Sequence, residues 1–402
     1  MIAEFKVRNF LSIKEEQVLS FIPTTDNTML DIYTEEVADN IRLLKIGSIY
    51  GSNASGKTNV LLALDFFRNL MICSDKSKSE RIGVVPFKLD KESLYKSTFF
   101  EMVFYINRDK YKLSVELDDE KIYNEKLLIY TTVRPTIIYD RHYDSAKDAT
   151  IIDFGNKIGL TKKDREVIEG NTINNRSVIA AFGISNVRKS QLNLVFDMFA
   201  KEMTPVIMPG TSLMNFTMQH LLDSKNGKLK KFILNFLKAS DFNISNISLR
   251  NGELVFSHHT ETCGDLNLED QFESRGTKRY LGLATILFDL LVNGNILPID
   301  EIEASIHYEL LSYFIRVFLV NSKKGAQLIL TTHDINLLDE DFIRRDSIWF
   351  TDKNLKGESE LYRLSSLGLH KTMSVYNAYR QNKLVDLPFL DSIYLDMDEY
   401  ND

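Results

Sequence analysis

Cysteine is nearly absent. The 402-residue chain holds two, Cys73 and Cys263, far apart and without the spacing of a metal site. Two lone thiols suit a reducing compartment. Proline is scarce as well, at 7 residues, whereas hydrophobic residues make up 44% and aromatics 11%. That balance disfavours extended disorder and lets the chain bury one large core or two smaller ones. Basic residues are not in excess: 49 Lys+Arg stand against 56 Asp+Glu, a formal charge of −7. A chain that mainly coats nucleic acid would usually be basic, so any contact with DNA has to be a local patch. The longest apolar run, residues 281–292, is broken by Asp289 and is too short to span a bilayer. The opening, residues 1–8, alternates like a strand and has no signal-peptide core. These absences predict a cytoplasmic protein with no membrane partner.

What is present is ordered along the chain. Residues 3–21 alternate apolar and polar positions, which predicts two strands turning at Asn9 to Ser12. Residues 43–50 read as one buried strand ending at a glycine. After Thr58 the apolar residues Leu61, Leu62, Leu64, Phe66, Phe67, Leu70 and Met71 fit a helix with a wide buried face. From about residue 98 to 139, short alternating strands at 99–107, 111–117 and 127–132 predict an added antiparallel sheet. Residues 160–240 turn helical and charged, with helices expected over 190–202, 213–222 and 229–237. Strands return at 244–249 and 253–258. The expected division is 1–155 and 241–402 as two parts of one nucleotide-binding domain, with 156–240 as a helical insertion.

Four motifs carry chemistry. Gly51-Ser52-Asn53-Ala54-Ser55-Gly56-Lys57-Thr58, followed by Asn59, matches the P-loop pattern in full. Phosphates need converging backbone N–H groups; Gly51 and Gly56 permit the close approach, and the following helix adds its dipole. Lys57 is expected to reach the β- and γ-phosphates of ATP, and the Thr58 hydroxyl to ligate Mg²⁺. Next, Asn295-Ile296-Leu297-Pro298-Ile299-Asp300-Glu301 is an apolar strand ending in two carboxylates. Asp300 suits the Mg²⁺ shell and Glu301 a general base for the attacking water. A further apolar strand, Gln327-Leu328-Ile329-Leu330-Thr331-Thr332, presents His333 at its carboxyl end, the edge where open α/β sheets bind ligands. Finally, Ser274-Arg275-Gly276-Thr277 opens a helix and offers a second anion site. A plain helix N-cap by Ser274 is compatible with that role.

In this order the four elements resemble the ABC-type ATPases, in particular the soluble SMC/RecF/OLD-like branch. The resemblance implies an α/β P-loop NTPase with an ABC-ATPase-like sheet, here carrying an antiparallel β region and the helical insertion. Ser274 and Gly276 stand at the signature, Glu303-Ala304-Ser305-Ile306-His307 resembles the D-loop, and His333 resembles the switch histidine. Because that class sandwiches ATP between a P-loop and the signature of another subunit, a homodimer or higher homo-oligomer is implied. Two departures stand out. Arg275 replaces a usually small residue, and no glutamine lies between the P-loop helix and the Phe87–Lys88 region, which holds the Q-loop place. A closer resemblance is to the abortive-infection ATP-binding proteins (AbiL-like, OLD-related). It rests on residues 5–13, Val85-Pro86-Phe87-Lys88-Leu89, Asp346-Ser347-Ile348-Trp349-Phe350, Asn377-Ala378-Tyr379-Arg380 and Leu387-Pro388-Phe389. It implies a bacterial ATPase of a phage-defence operon, working beside a separate effector protein such as a nuclease.

Other features weigh less. His258, His259 and Cys263 cluster in sequence, but neighbours on a strand point to opposite faces, which argues against zinc. Lys225, Lys228, Lys230 and Lys231 form a basic patch that fits a solvated face, or a DNA contact under the competing reading of a RecF/SMC-like DNA-repair ATPase. Asp396-Met397-Asp398-Glu399 imitates a nuclease metal motif and reads instead as an acidic tail or docking segment. Too few residues follow His333 for a nuclease domain.

Overall fold

The computed structural model describes residues 1–385 except 76, 157, 188–189, 224–226, 241, 251, 323–324 and 371, and the backbone only of 223. Lys225, Leu387-Pro388-Phe389 and Asp396-Met397-Asp398-Glu399 lie outside the described residues.

Two sheets clasp the helix that follows the P-loop. The first has five strands in the order Ile296–Ile299, Gln327–Thr331, Ile46–Gly51, Ile348–Lys353 and Ser359–Arg363. The first four run parallel and the last is antiparallel. The first three are buried throughout, as continuous apolar runs in a covered parallel sheet should be. The second sheet is antiparallel and seven-stranded; its order is Ala149–Phe154, Thr136–Asp144, Ile122–Tyr130, Asp109–Leu117, Thr98–Ile106, Ile2–Arg8 and Gln17–Ser20. Its alternating sequence leaves one face for the core.

Between them lies the helix Lys57–Ile72. Phe67 meets Phe5, Phe100 and Phe199, and Phe66 meets Phe10 and Phe100, with ring centroids 5.5–5.9 Å apart. The sheets are also pinned directly. Gln327, fully buried at the start of its strand, accepts from the Ile2 N–H at 2.9 Å and donates to the Ile2 and Leu44 carbonyls at 2.9 and 3.1 Å.

The structure differs from the sequence reading in three places. Residues 43–50 are two strands, Ile41–Leu44 and Ile46–Gly51, because the first pairs with Thr34–Ala38 and not with the parallel sheet. The break is Lys45, buried, with its ammonium on the Ser322 carbonyl at 3.3 Å. The helix expected over 190–202 is Gln191–Asp197, passing into a wider π-helical turn at Met198–Glu202. Between the helices Lys162–Asn171, Val178–Gly183 and Gln191–Asp197 on one side and Met214–Asp223 and Lys228–Ala239 on the other, the chain returns to the parallel sheet. Met203 and Ile207 bridge in parallel to Ile296 and Ile299. A third sheet, Ile244–Arg250, Glu253–Thr260 and Gly264–Glu269, precedes the long helix Arg275–Asn293. Among the described residues no helix is long and apolar enough to cross a membrane.

The Gln327 tie is directly testable. Gln327→Leu keeps the volume but removes the side-chain partner of three buried backbone groups, and each one left unsatisfied costs about 1–3 kcal/mol. Urea denaturation should show a loss of about 3 kcal/mol or more; a smaller change would mean that the N-terminal strand is held elsewhere.

Candidate functional site

The P-loop is shaped by close approaches. A Cβ on Gly51 would lie 2.4 Å from the Thr351 carbonyl oxygen. One on Gly56, where φ is +110°, would lie 2.2 Å from the Ser359 hydroxyl. Only glycine fits either place. Ser52, Asn53 and Ala54 form the crest, with Ala54 left-handed at φ 63°, and Ser55 is buried with its hydroxyl 2.7 Å from that of Thr351. The helix starts at Lys57 with Gly56 as N-cap and no side chain satisfying its first N–H groups. An uncapped helix start beside a glycine loop is suited to a phosphate. Asn59, on the first turn, donates to the Ser12 hydroxyl at 2.6 Å and so fixes the turn at Asn9 to Ser12 beside the loop.

Lys57 spans the loop mouth, donating to the Gly51 and Ser52 carbonyls at 2.9 and 3.0 Å. Burial pushes its ammonium below the usual lysine range, while Asp300, then Glu301 and Glu303, pull it back up. Thr58 donates to the two Asp300 oxygens at 3.2 and 2.9 Å. Asp300 is 2% exposed, and its Oδ1 accepts a second bond, from the Thr331 hydroxyl at 2.6 Å. That hydroxyl in turn accepts from the Glu301 N–H at 2.8 Å. One side chain, Thr331, therefore fixes both carboxylate-bearing residues. Sequence reading gave it no role; its signal was a hydroxyl two residues before His333 on an otherwise apolar strand.

Glu301 adopts a left-handed backbone, φ 43°, and points outward, its side chain 42% exposed. His333 Nε2 lies 3.7 Å from Glu301 Oε1. Glu303 was also missed as an individual residue: its Oε1 accepts from the His333 backbone N–H at 2.6 Å. The structure thus brings Lys57, Thr58, Asp300, Glu301 and His333 together.

Ser274 and Gly276 stand apart from this group. Ser274 caps the helix Arg275–Asn293 by accepting from the Thr277 N–H at 3.0 Å. A Cβ on Gly276 would lie 2.9 Å from the Ser305 carbonyl oxygen. Among the described residues their contacts run to Glu273, Thr277, Lys278 and Ser305. Phe87 is buried with its N–H on Asn9 Oδ1 at 3.1 Å, while the segment beside Asp300 is 203–207. There the Ile207 carbonyl accepts from the Asp300 N–H at 2.8 Å.

The donor set fits Mg²⁺ with nucleotide. Thr58 and Asp300 offer hard oxygens, and among the described residues no group of three or more His, Cys, Asp or Glu forms a metal cage. Mg²⁺ commonly binds through one or two protein oxygens plus substrate phosphates. His258 and His259 instead pair with Glu273 and Asp265.

Solved structures similar to the chain include the SMC head domain from Thermotoga maritima, at 14% identity and TM-score 0.44, covering 90% of this chain and 98% of that one. Another is SmcHead bound to the C-winged helix domain of ScpA, at 12% identity and TM-score 0.44, covering 94% and 99%. No curated protein matches. The sequence from 48 to 339, which holds the P-loop, Ser274, Asp300, Glu301 and His333, matches the family described as "AAA domain, putative AbiEii toxin, Type IV TA system", and the chain belongs to that family.

Proposed function

We propose that the chain binds Mg²⁺-ATP at the P-loop and hydrolyses it in a site completed by Ser274 of a second copy. The resulting change of assembly would control a separate effector in a bacterial anti-phage defence system. The observation that carries the ATPase reading is the hydrogen-bonded series Thr58, Asp300, Thr331, Glu301, which sets a metal-ligand pair beside a carboxylate. Bound Mg²⁺ would neutralise charge developing on the phosphates. Thr58 and Asp300 would hold its shell, Lys57 would contact the phosphates, and Glu301 would take a proton from the attacking water. His333, beside Glu301 and fastened by Glu303, orients at the terminal phosphate. The need for a second copy rests on the ABC-type resemblance, in which the signature of one subunit faces the P-loop of another. The defence context rests on the abortive-infection resemblance and on the toxin–antitoxin description of the family.

One observation favours a DNA-repair reading. The helix Lys228–Ala239 contains no acidic residue; it buries Leu229, Ile233, Phe236 and Leu237 and exposes Lys228 and Lys231. If that face bound DNA, affinity would fall steeply with salt and with Lys228→Ala/Lys231→Ala.

Two variants test the ATPase reading. Glu301→Gln should lower kcat about 10²–10⁴-fold, retain ATP, and accumulate an ATP-dependent dimer by light scattering. Unchanged hydrolysis would remove Glu301 as the base. Ser274→Asp keeps an acceptor for the Thr277 N–H but sets a carboxylate against a phosphate of the other copy. ATP binding should persist and the dimer should be lost; a dimer that forms normally would exclude Ser274 from the interface.

A further inference from the structure

We infer that His258 and Glu273 are positioning residues that set the height and direction of Ser274, resting on the composite-site reading above. Glu273 immediately precedes Ser274. It is buried, its side chain 5% exposed, although Phe272 before it is 66% exposed and Ser274 and Arg275 after it are exposed. A buried carboxylate is costly unless its oxygens are met by donors. Both are met, from two different directions. Oε2 accepts from the Ser274 backbone N–H at 3.2 Å, and Oε1 is bonded to His258 Nε2.

His258 lies in the strand Glu253–Thr260, the middle strand of the three-stranded sheet, between Ile244 and Leu266. The carboxylate therefore fastens the signature turn to a sheet that forms no part of the nucleotide-binding sheet. The other charged groups of the turn do not replace it. Lys278 donates to the Asp270 carbonyl at 3.0 Å and lies 3.5 Å from its Oδ1, and Arg275 points outward. An apolar residue at 273 would bury at least as cheaply. What the hydrogen-bonded pair adds is direction: one oxygen on the serine amide and one on a fixed imidazole leave the turn little freedom. A serine that has to meet a phosphate held by another chain needs that restriction, because placement errors near 1 Å cost about 100-fold in rate.

In the sequence His258 clusters with His259 and Cys263, a grouping that argues against zinc because strand neighbours point to opposite faces. Geometry gives His258 different work. His259 faces Asp265 at 3.0 Å, and Cys263 is exposed. Because His258 is itself 30% exposed, its replacement should leave the fold standing.

The experiment uses the full chain with Mg²⁺-ATP, comparing wild type, His258→Ala, His258→Gln and Glu273→Gln for hydrolysis. Glu301→Gln and Glu301→Gln/His258→Ala are compared for ATP-dependent dimerisation. His258→Ala should keep ATP affinity and KM while kcat falls about 10- to 100-fold, and the double variant should not accumulate the dimer. His258→Gln, which places an amide N–H near the former Nε2, should recover most of kcat. Glu273→Gln, which preserves shape, serves as the independent probe and should lower kcat with KM unchanged. Wild-type hydrolysis and assembly in His258→Ala would overturn the inference. So would equal losses in the Ala and Gln variants that track thermal stability. If Glu301→Gln alone does not dimerise with ATP, the composite site itself falls, a result visible before any His258 variant is made.

Discussion

A carboxylate with 2% exposure at the end of an apolar strand must be supplied with donors by whatever surrounds it. For Asp300 those donors are two hydroxyls, Thr58 and Thr331, and the order of the sheet explains why both are there. The strand Gln327–Thr331 lies between Ile296–Ile299 and Ile46–Gly51. Asp300, leaving the first, meets Thr331 on its neighbour, and Thr58 lies on the helix fed by the strand beyond. One carboxylate thereby fastens the carboxyl ends of three parallel strands. Its main-chain N–H ties in a fourth segment through Ile207. Moving any of these moves Thr58 and Asp300.

Support for that arrangement comes from farther out. The P-loop helix cannot shift without disturbing the Phe5, Phe67, Phe100 and Phe199 rings, and the Gln327 amide ties the antiparallel sheet to the strand Gln327–Thr331. The serines do the fine work at the loop itself. Ser359 donates to the Ser55 carbonyl at 2.7 Å, and Ser12 meets both Ser359 and Asn59. The second sheet is therefore a buttress for the site.

How much of this was legible in the sequence depended on how local the cause was. The P-loop, Asp300–Glu301 and the strand before His333 could be read because each is a short run whose chemistry is complete in itself. The break at Lys45 could not. Its cause is a buried ammonium on Ser322, almost 280 positions away, and a change of sheet partner that no periodicity records. The segment 203–207 contains Pro205 and pairs only as an edge, so its strand character comes from Ile296–Ile299 and not from its own residues. The bond between Glu273 and His258 crosses a hairpin, where alternation predicts facing but not pairing. Thr331 and Glu303 were visible as letters; their roles depend on which strand lies beside which.

The turn after Asp300 carries the remaining consequence. Glu301 and Ser305 both have left-handed backbones, φ 43° and 65°, an arrangement costing about 1–3 kcal/mol each for non-glycine residues. Within it, Glu303 holds the His333 backbone, and the Ser305 carbonyl lies against Gly276, where even a methyl group would not fit. The same five residues thus include Glu301 and touch both His333 and the turn that opens the helix Arg275–Asn293. In the proposed assembly that turn serves the other copy's nucleotide. A displacement of Glu301 or His333 at one site would then reach the second site through Ser305 and Gly276, and the tight contact there leaves little slack to absorb it.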